Sequence, residues 1–405
     1  MKTRYGVSPW IDSFPDSRRP SFEQFRGDKT ADIVIVGGGL TGCATAYAMA
    51  AAGLRPILLE SSRVGQGSAG RSAGLLLGEP GTSFRDLVAR HGLRTTRLML
   101  EGWKKAASDG AALLRRLGVR CDAVPVDTIT VADPDAARGL RKEFDSREAA
   151  GIESTWLDER KLTTATRLAR ASGVRARGGL AIDPYAACVG MARAAVKSKA
   201  RLFEKSPVEK IVPGARDVEV VLRGGRIRTG LVVIATGSAS PLFKPLQRHL
   251  EPRERYAVLT EPVPASVRKS LFPESLTLRF ENAARMRVRW AREHRLLISG
   301  ADQDVVAPAK RPQVLVQRTG QLMYELLMAY PAISGLRPEF GWESTYAETA
   351  DGLIYAGPHR NYPRHLFALG GDGGSLTGSF LAARLLARAA AGEPDKTDQV
   401  FGWTR

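Results

Sequence analysis

Ala31-Asp32-Ile33-Val34-Ile35-Val36-Gly37-Gly38-Gly39-Leu40-Thr41-Gly42 is the stretch that decides the fold. Residues 31–36 form a short apolar run of the kind buried in a parallel sheet. Gly37, Gly39 and Gly42 then give GxGxxG, and Cys43 to Ala52 reads as a helix of small residues ended by Gly53. Arg55-Pro56-Ile57-Leu58-Leu59-Glu60 supplies a second strand, completing a βαβ unit. The spacing has a chemical reason. Gly37 permits a tight turn, Gly39 lets the backbone approach a pyrophosphate, and Gly42 lets helix and strand touch. The helix start, with Leu40 and Thr41, offers free N–H groups and partial positive charge to phosphate. Glu60, next to Ser61, ends the second strand where a carboxylate accepts from both ribose hydroxyls and repels a 2′-phosphate.

Outward from this unit, three features favour FAD over NAD. The βαβ unit lies near the N-terminus, before any substrate domain. Val64-Gly65-Gln66-Gly67-Ser68-Ala69-Gly70-Arg71-Ser72-Ala73-Gly74 concentrates small residues, as an isoalloxazine passing flat along a backbone would require; a flexible surface loop is the plainer alternative. Leu231-Val232-Val233-Ile234 runs into Ala235-Thr236-Gly237, a further close approach.

Along the rest of the chain, helices are expected over 84–117, 135–150, from Asp183-Pro184 onward, 311–330 and 376–391. A three-strand meander covers 206–235 and turns at Gly224-Gly225, and residues 251–305 alternate in β fashion. The expected fold class is mixed α/β: a Rossmann-like FAD-binding domain interleaved with a substrate domain on an antiparallel sheet. The expected boundaries are an arm at 1–27, cofactor segments at 28–90, 175–250 and 340–395, and substrate segments at 91–174 and 251–339.

Composition excludes some classes. No stretch approaches the roughly 18 apolar residues of a membrane span, and the first residues carry no apolar signal core. Cys43, Cys121 and Cys188 are far apart and form no CxxC, so free thiols and a cytoplasmic setting are expected. The net charge of +18 comes from scattered Arg and Lys without long runs, so a nucleic-acid partner is not expected. His91, His249, His294, His359 and His365 show no metal spacing.

With these residues in view, the sequence resembles the D-amino-acid-oxidase superfamily of FAD enzymes from about Tyr5 to Gly392. The group of gamma-glutamylputrescine oxidase-like proteins is the nearest, with glycine oxidase and sarcosine oxidase beside it. Ser8-Pro9-Trp10-Ile11-Asp12, the glycine turn and the 64–74 loop carry the likeness. So do Gly341-Trp342-Glu343, Thr349-Ala350-Asp351-Gly352-Leu353-Ile354 and Gly370-Gly371-Asp372-Gly373-Gly374-Ser375-Leu376-Thr377-Gly378. The chain departs from the family pattern at Asp372, Gly374, Ser375 and Ile354.

The resemblance implies that Val208 contacts adenine through its backbone, and that residues 371–377 face the flavin at a helix start, where negative charge develops on reduction. It also implies oxidation of a small amine or amino acid, with transfer to flavin N5 and O2 as the acceptor. No Cys follows Cys188 and no His lies between Glu60 and Gly74, so the FAD is expected to be non-covalent. Arg287 and Arg289, on one face of a strand, are candidates for a carboxylate anchor or for the cation beside the flavin; a solvated edge face would read the same. Arg71 is a further candidate, with phosphate or structural pairing as its alternative. Tyr256 is a candidate cavity aromatic or a core residue. A dehydrogenase serving a quinone or partner protein, a tRNA-directed flavin enzyme and a non-catalytic flavoprotein remain alternatives.

Overall fold

The glycine turn and its flanking elements take the geometry their side chains dictate. In the computed structural model, which describes residues 2–282 and 284–405, the strand Lys29–Val36 leads into the helix Leu40–Ala51 and returns through Pro56–Leu59. Ala44, Ala46 and Ala50 let that helix lie close between the helices Pro184–Lys197 and Thr377–Ala391. Asp183 caps Pro184–Lys197 by accepting from Ala186 N at 2.9 Å. Gly392, at φ 77°, closes Thr377–Ala391 in the left-handed region.

Eight strands form the first sheet. Lys29–Val36 lies parallel between Gly225–Gly237 and Pro56–Leu59, with Arg201–Phe203 beyond the latter. Tyr362–Leu369 runs parallel to Gly225–Gly237 on the other side, with Tyr355–His359 antiparallel at the edge. The expected meander is present as Val208–Pro213, Val218–Leu222 and Gly225–Gly237.

Ten strands form the second sheet, mostly antiparallel. Its centre runs Pro338–Glu348, Glu251–Thr260, Arg295–Asp304, Arg287–Ala291, Leu276–Phe280, Val124–Ala132 and Ser172–Ala181. Its two parallel pairs are Arg4–Tyr5 on Pro338–Glu348 and Leu276–Phe280 on Val124–Ala132. The helix Arg311–Ala329 covers one face through Leu315, Leu322 and Leu326.

The mixed α/β architecture agrees with the expectation, but the expected boundaries cut through elements. The cut at 174/175 falls inside Ser172–Ala181 and the cut at 339/340 inside Pro338–Glu348, both strands of the larger sheet. Residues 91–116 belong to the helix Phe84–Arg116, whose Met99, Trp103 and Leu114 join the core around the glycine turn. The arm is tied in by Arg4–Tyr5 and by buried Trp10 and Phe25.

Candidate active site

Gly37 has φ 112°, and a Cβ there would lie 2.6 Å from Ala235 O. A Cβ on Gly42 would collide with Gly37 O. Gly39 differs: nothing lies within 4 Å of its would-be Cβ. It starts the helix Leu40–Ala51 without any side-chain cap, so the first-turn N–H groups are left for a ligand. Gly37 and Gly39 open onto a cleft of about 870 Å³.

The cleft gathers most of the expected cofactor residues. Gly37, Gly39, Leu40, Thr41, Glu60 and Ser61 line one end together with Val208. Gly67, Ser68 and Ser72 line the middle, and Ala235, Thr236 and Gly237 lie across from them at the end of their strand. Gly371, Asp372, Gly373, Ser375 and Leu376 line the C-terminal part. The Glu60 carboxylate accepts from Gly38 N at 2.7 Å through Oε2 and from Ser62 N at 2.8 Å through Oε1, which fixes its direction and leaves acceptor capacity for hydroxyls. The helix Thr377–Ala391 also begins without a side-chain cap. Two uncapped helix starts, a fixed carboxylate and an uncovered glycine backbone fit an adenine dinucleotide with a flavin at the C-terminal end. Among the described residues, no Cys or His lines the cleft.

Seven of the expected cofactor residues lie off the cleft. Gly42, Gly70 and Gly74 serve close packing: a Cβ on Gly70 would strike Gly65 O and one on Gly74 would strike Ile182 O. The side chain of Arg71 turns to the larger sheet, where Nη1 donates to Glu343 O at 3.3 Å. Thr377 Oγ1 donates to Leu77 O at 2.9 Å. Ala73 lends its carbonyl to Arg289, 2.6 Å from Nε. The seventh, Gly374, abuts the Arg287 guanidinium, which a Cβ would displace.

The candidate side chains separate sharply. Arg287 reaches the C-terminal turn, with Nη2 3.3 Å from Asp372 Oδ2, while Asp372 Oδ1 accepts from Gly374 N at 2.8 Å. Arg287 Nη1 is buried and has no partner. Burial and the neighbouring Arg255 lower the Arg287 pKa to about 10, with Asp372 opposing, so it stays charged at neutral pH.

Arg289 and Tyr256 correct the expectation. All three nitrogens of Arg289 donate to backbone carbonyls, of Ala73, Trp290 and Ile182, and the group stacks over Trp10 at 5.2 Å. It clamps the 64–74 loop, with each of its three nitrogens held by a main-chain carbonyl. Tyr256 points into the core under the helix Arg311–Ala329, donating to Glu254 Oε2 and accepting from Gln303, both at 2.9 Å.

Sequence reasoning missed the neighbour one residue away. Alternation on Glu251–Thr260 puts Arg255 on the opposite face from Tyr256. Arg255 is paired with Asp302 at 2.5 Å, and Asp302 accepts from Tyr346 Oη at 2.9 Å. Burial raises Asp302, but Arg255 outweighs it and holds the carboxyl below its usual value. Tyr346 lines the cleft beneath Gly373, where a Cβ would lie 2.6 Å from the ring. Arg255 Nη1 is a second buried donor without a partner. The alternation that places Arg255 was legible; its partners, on Arg295–Asp304 and Pro338–Glu348, were not.

Asp372 and Ser375 also line a second, smaller cavity, with Leu75, Thr128, Thr277 and Arg287. This cavity adjoins the C-terminal end of the cleft, where a flavin ring would lie between cofactor and substrate space. Among the described residues no group of side chains could hold a metal, and no helix is long and apolar enough to cross a membrane.

The sequence pattern of the DAO family, described as FAD dependent oxidoreductase, matches residues 32–389. This chain belongs to that family. Its cofactor is therefore FAD, in agreement with the cleft. Gamma-glutamylputrescine oxidoreductase of Escherichia coli (strain K12) is 23% identical over 380 residues, covering 93% of this chain and 87% of the relative. Glycine oxidase of Bacillus licheniformis is 24% identical over 399 residues, covering 92% and 96%. The crystal structure of glycine oxidase from Geobacillus kaustophilus superposes with a TM-score of 0.77 at 22% identity, over 93% of this chain and 99% of that one.

Proposed function

We propose that this DAO-family protein oxidises the C–N bond of a small amino acid or related amine bearing a carboxylate, with non-covalent FAD and O2 as the electron acceptor. The observation that carries the reading is Arg287: a buried guanidinium at the junction of cleft and cavity, with Nη1 unpaired. Bound FAD supplies the acceptor for two electrons, taken as hydride at N5.

The chain's own residues position and polarise. Arg287 Nη1 takes a substrate carboxylate, and Asp372 on Nη2 keeps the guanidinium aimed across the Gly371–Gly374 turn. Asp372 also presents the nearest carboxylate to a substrate amine, favouring its approach as an ammonium that must shed its proton before oxidation. The uncapped start of Thr377–Ala391 and the charge of Arg255 stabilise negative charge that develops at the C-terminal end of the cleft. The names of the relatives in Escherichia coli and Bacillus licheniformis, with their amine and amino-acid substrates, support this class.

The test is anaerobic. Purified protein is loaded with FAD, its visible band is recorded, and amines and amino acids are added one at a time. Bleaching by a carboxylate-bearing amine, with peroxide released on admitting air, is the expected outcome. Bleaching only by amines without a carboxylate would overturn the assignment of Arg287, and slow reoxidation in air would move the acceptor from O2 to a quinone or protein.

A further inference from the structure

The smaller cavity holds a second guanidinium that the reading above does not use. Arg279 and Arg287 face each other directly across the antiparallel pair Leu276–Phe280 and Arg287–Ala291. Like charges in direct opposition on one sheet face repel, and a fold keeps them at a cost unless an anion joins them. On the far side of Arg279 stands Thr130, and Thr277 stands opposite Thr128, in the parallel pair with Val124–Ala132. All of these side chains line the cavity, with exposed Arg177 at its edge.

The acidic side chains at this cavity are already committed. Asp372 is held by Arg287 and by Gly374 N. Glu79 is held by Arg147 at 2.8 Å. Arg279 has only Glu281 at 2.9 Å, and that carboxylate is exposed, so the pair is weak and easily exchanged. Three guanidiniums and three threonine hydroxyls thus surround a space into which no uncommitted carboxylate points.

Resting on the reading of the site given above, we propose that the substrate is a dicarboxylate amine: an acidic amino acid or an N-carboxyalkyl amino acid. One carboxylate sits on Arg287 beside the cleft and the other on Arg279 toward the cavity edge, with Thr128 and Thr130 donating hydrogen bonds, the Thr277 hydroxyl being spent on Val288 O. Arg279 is the specificity-determining residue, and the second anion takes the place of exposed Glu281 beside it.

Binding without turnover tests this. FAD-loaded full-length protein is titrated with glutarate and succinate, with butyrate and with 1,4-diaminobutane, reading the shift of the flavin's visible band and of Tm. Glutarate or succinate is expected to bind at least about tenfold more tightly than butyrate. Arg279→Gln removes that advantage and leaves butyrate affinity within about twofold, while Arg279→Lys restores part of it, because a point charge lacks the bidentate fork. Equal affinity for mono- and dicarboxylates, an advantage that survives Arg279→Gln, stronger binding of the diamine, or no dicarboxylate binding at all would each overturn the proposal. The two readings fail separately. If butyrate binds and Arg287→Gln abolishes it, yet dicarboxylates bind no better, the carboxylate anchor stands and the second anchor falls.

Discussion

The two cavities meet at Asp372 and Ser375, yet they are walled by different parts of the polypeptide. The cofactor cleft is made largely of main chain. Gly37, Gly39, Gly237 and Gly371 bare it, and two helices present uncapped starts to it. The smaller cavity is made of side chains standing on one face of an antiparallel sheet: Thr128, Thr277, Arg279 and Arg287. Main chain binds what every member of the family must hold, because a backbone N–H is the same whatever residue carries it. Side chains bind what differs between members, because a strand face accepts substitution without altering the ladder beneath it.

The largest expected effect breaks the main-chain side of this comparison. Nothing lies within 4 Å of a Cβ at Gly39, which lines the cleft, so a side chain there takes cofactor space. Gly39→Val is expected to weaken FAD binding by more than about 1,000-fold, roughly 4 kcal/mol, with a fold that survives. Flavin titration together with far-ultraviolet circular dichroism checks it. Retained flavin would show that the pyrophosphate does not pass over Gly39.

Next comes the side-chain wall. Among the described residues, Arg287→Gln removes the only group in the cavity with a buried, unpaired cationic donor, and it also strips Asp372 of its cationic partner. A loss of about 100-fold in kcat/KM for carboxylate-bearing substrates is expected, roughly 3 kcal/mol, with FAD affinity changed little. If FAD is lost as well, the pair supports the cofactor turn rather than the substrate.

The same contrast explains what could be read in advance. The cleft was legible because its requirements fall on glycine, and glycine is visible in one dimension: Gly37, Gly39, Gly237 and Gly371 all reach it. The loop 64–74 was legible as small, but not why. Gly70 and Gly74 are small to clear Gly65 O and Ile182 O, while Gly67 and Ser68 are small to line the cleft. The arginines were the harder case. Parity along a strand gives the face but not what the next element places there. Arg287 and Arg289 share a face, yet one meets Asp372 and the other three carbonyls. Tyr256 and Arg255 were separable by parity alone, but which of the two stands beside the cleft follows from the pairing with Pro338–Glu348, a register that joins residues far apart in sequence.

Tyr256→Phe and Tyr346→Phe sharpen that point. Tyr256 Oη bridges Glu254 and Gln303 in the core, and burial together with Glu254 raises its pKa. Its loss is expected to lower stability by about 2 kcal/mol and to leave kcat/KM within about twofold. Tyr346→Phe frees one acceptor of Asp302 beside Arg255 and the cleft, so it is expected to alter flavin reoxidation more than stability. Denaturant melts and stopped-flow reoxidation of the two variants, run side by side, distinguish a core tyrosine from a cleft tyrosine.

The smallest effect tests the seam between the two regions. Asp183 caps a helix of the cofactor body, while its Oδ2 lies 3.7 Å from Arg292 Nη2 in the turn that joins two strands of the larger sheet. Burial pushes its pKa up from the ordinary 3.8 to about 6, against the pull of the Ala186 N–H and of Arg289. A carboxyl whose folded pKa is raised contributes stability that is complete below its unfolded value and is lost as pH rises through about 6. At pH 7 the buried charge therefore costs the fold roughly 1 kcal/mol after allowance for its remaining solvent contact. Asn keeps the cap and carries no charge. Asp183→Asn should thus be more stable than the parent at pH 7, and the difference should shrink toward zero by pH 4. Taking the difference cancels the other carboxylates that titrate in the same window. A variant that is less stable than the parent at pH 7 would mean that Arg292 holds Asp183 as an ion pair across the seam, and that charge joins the two regions there.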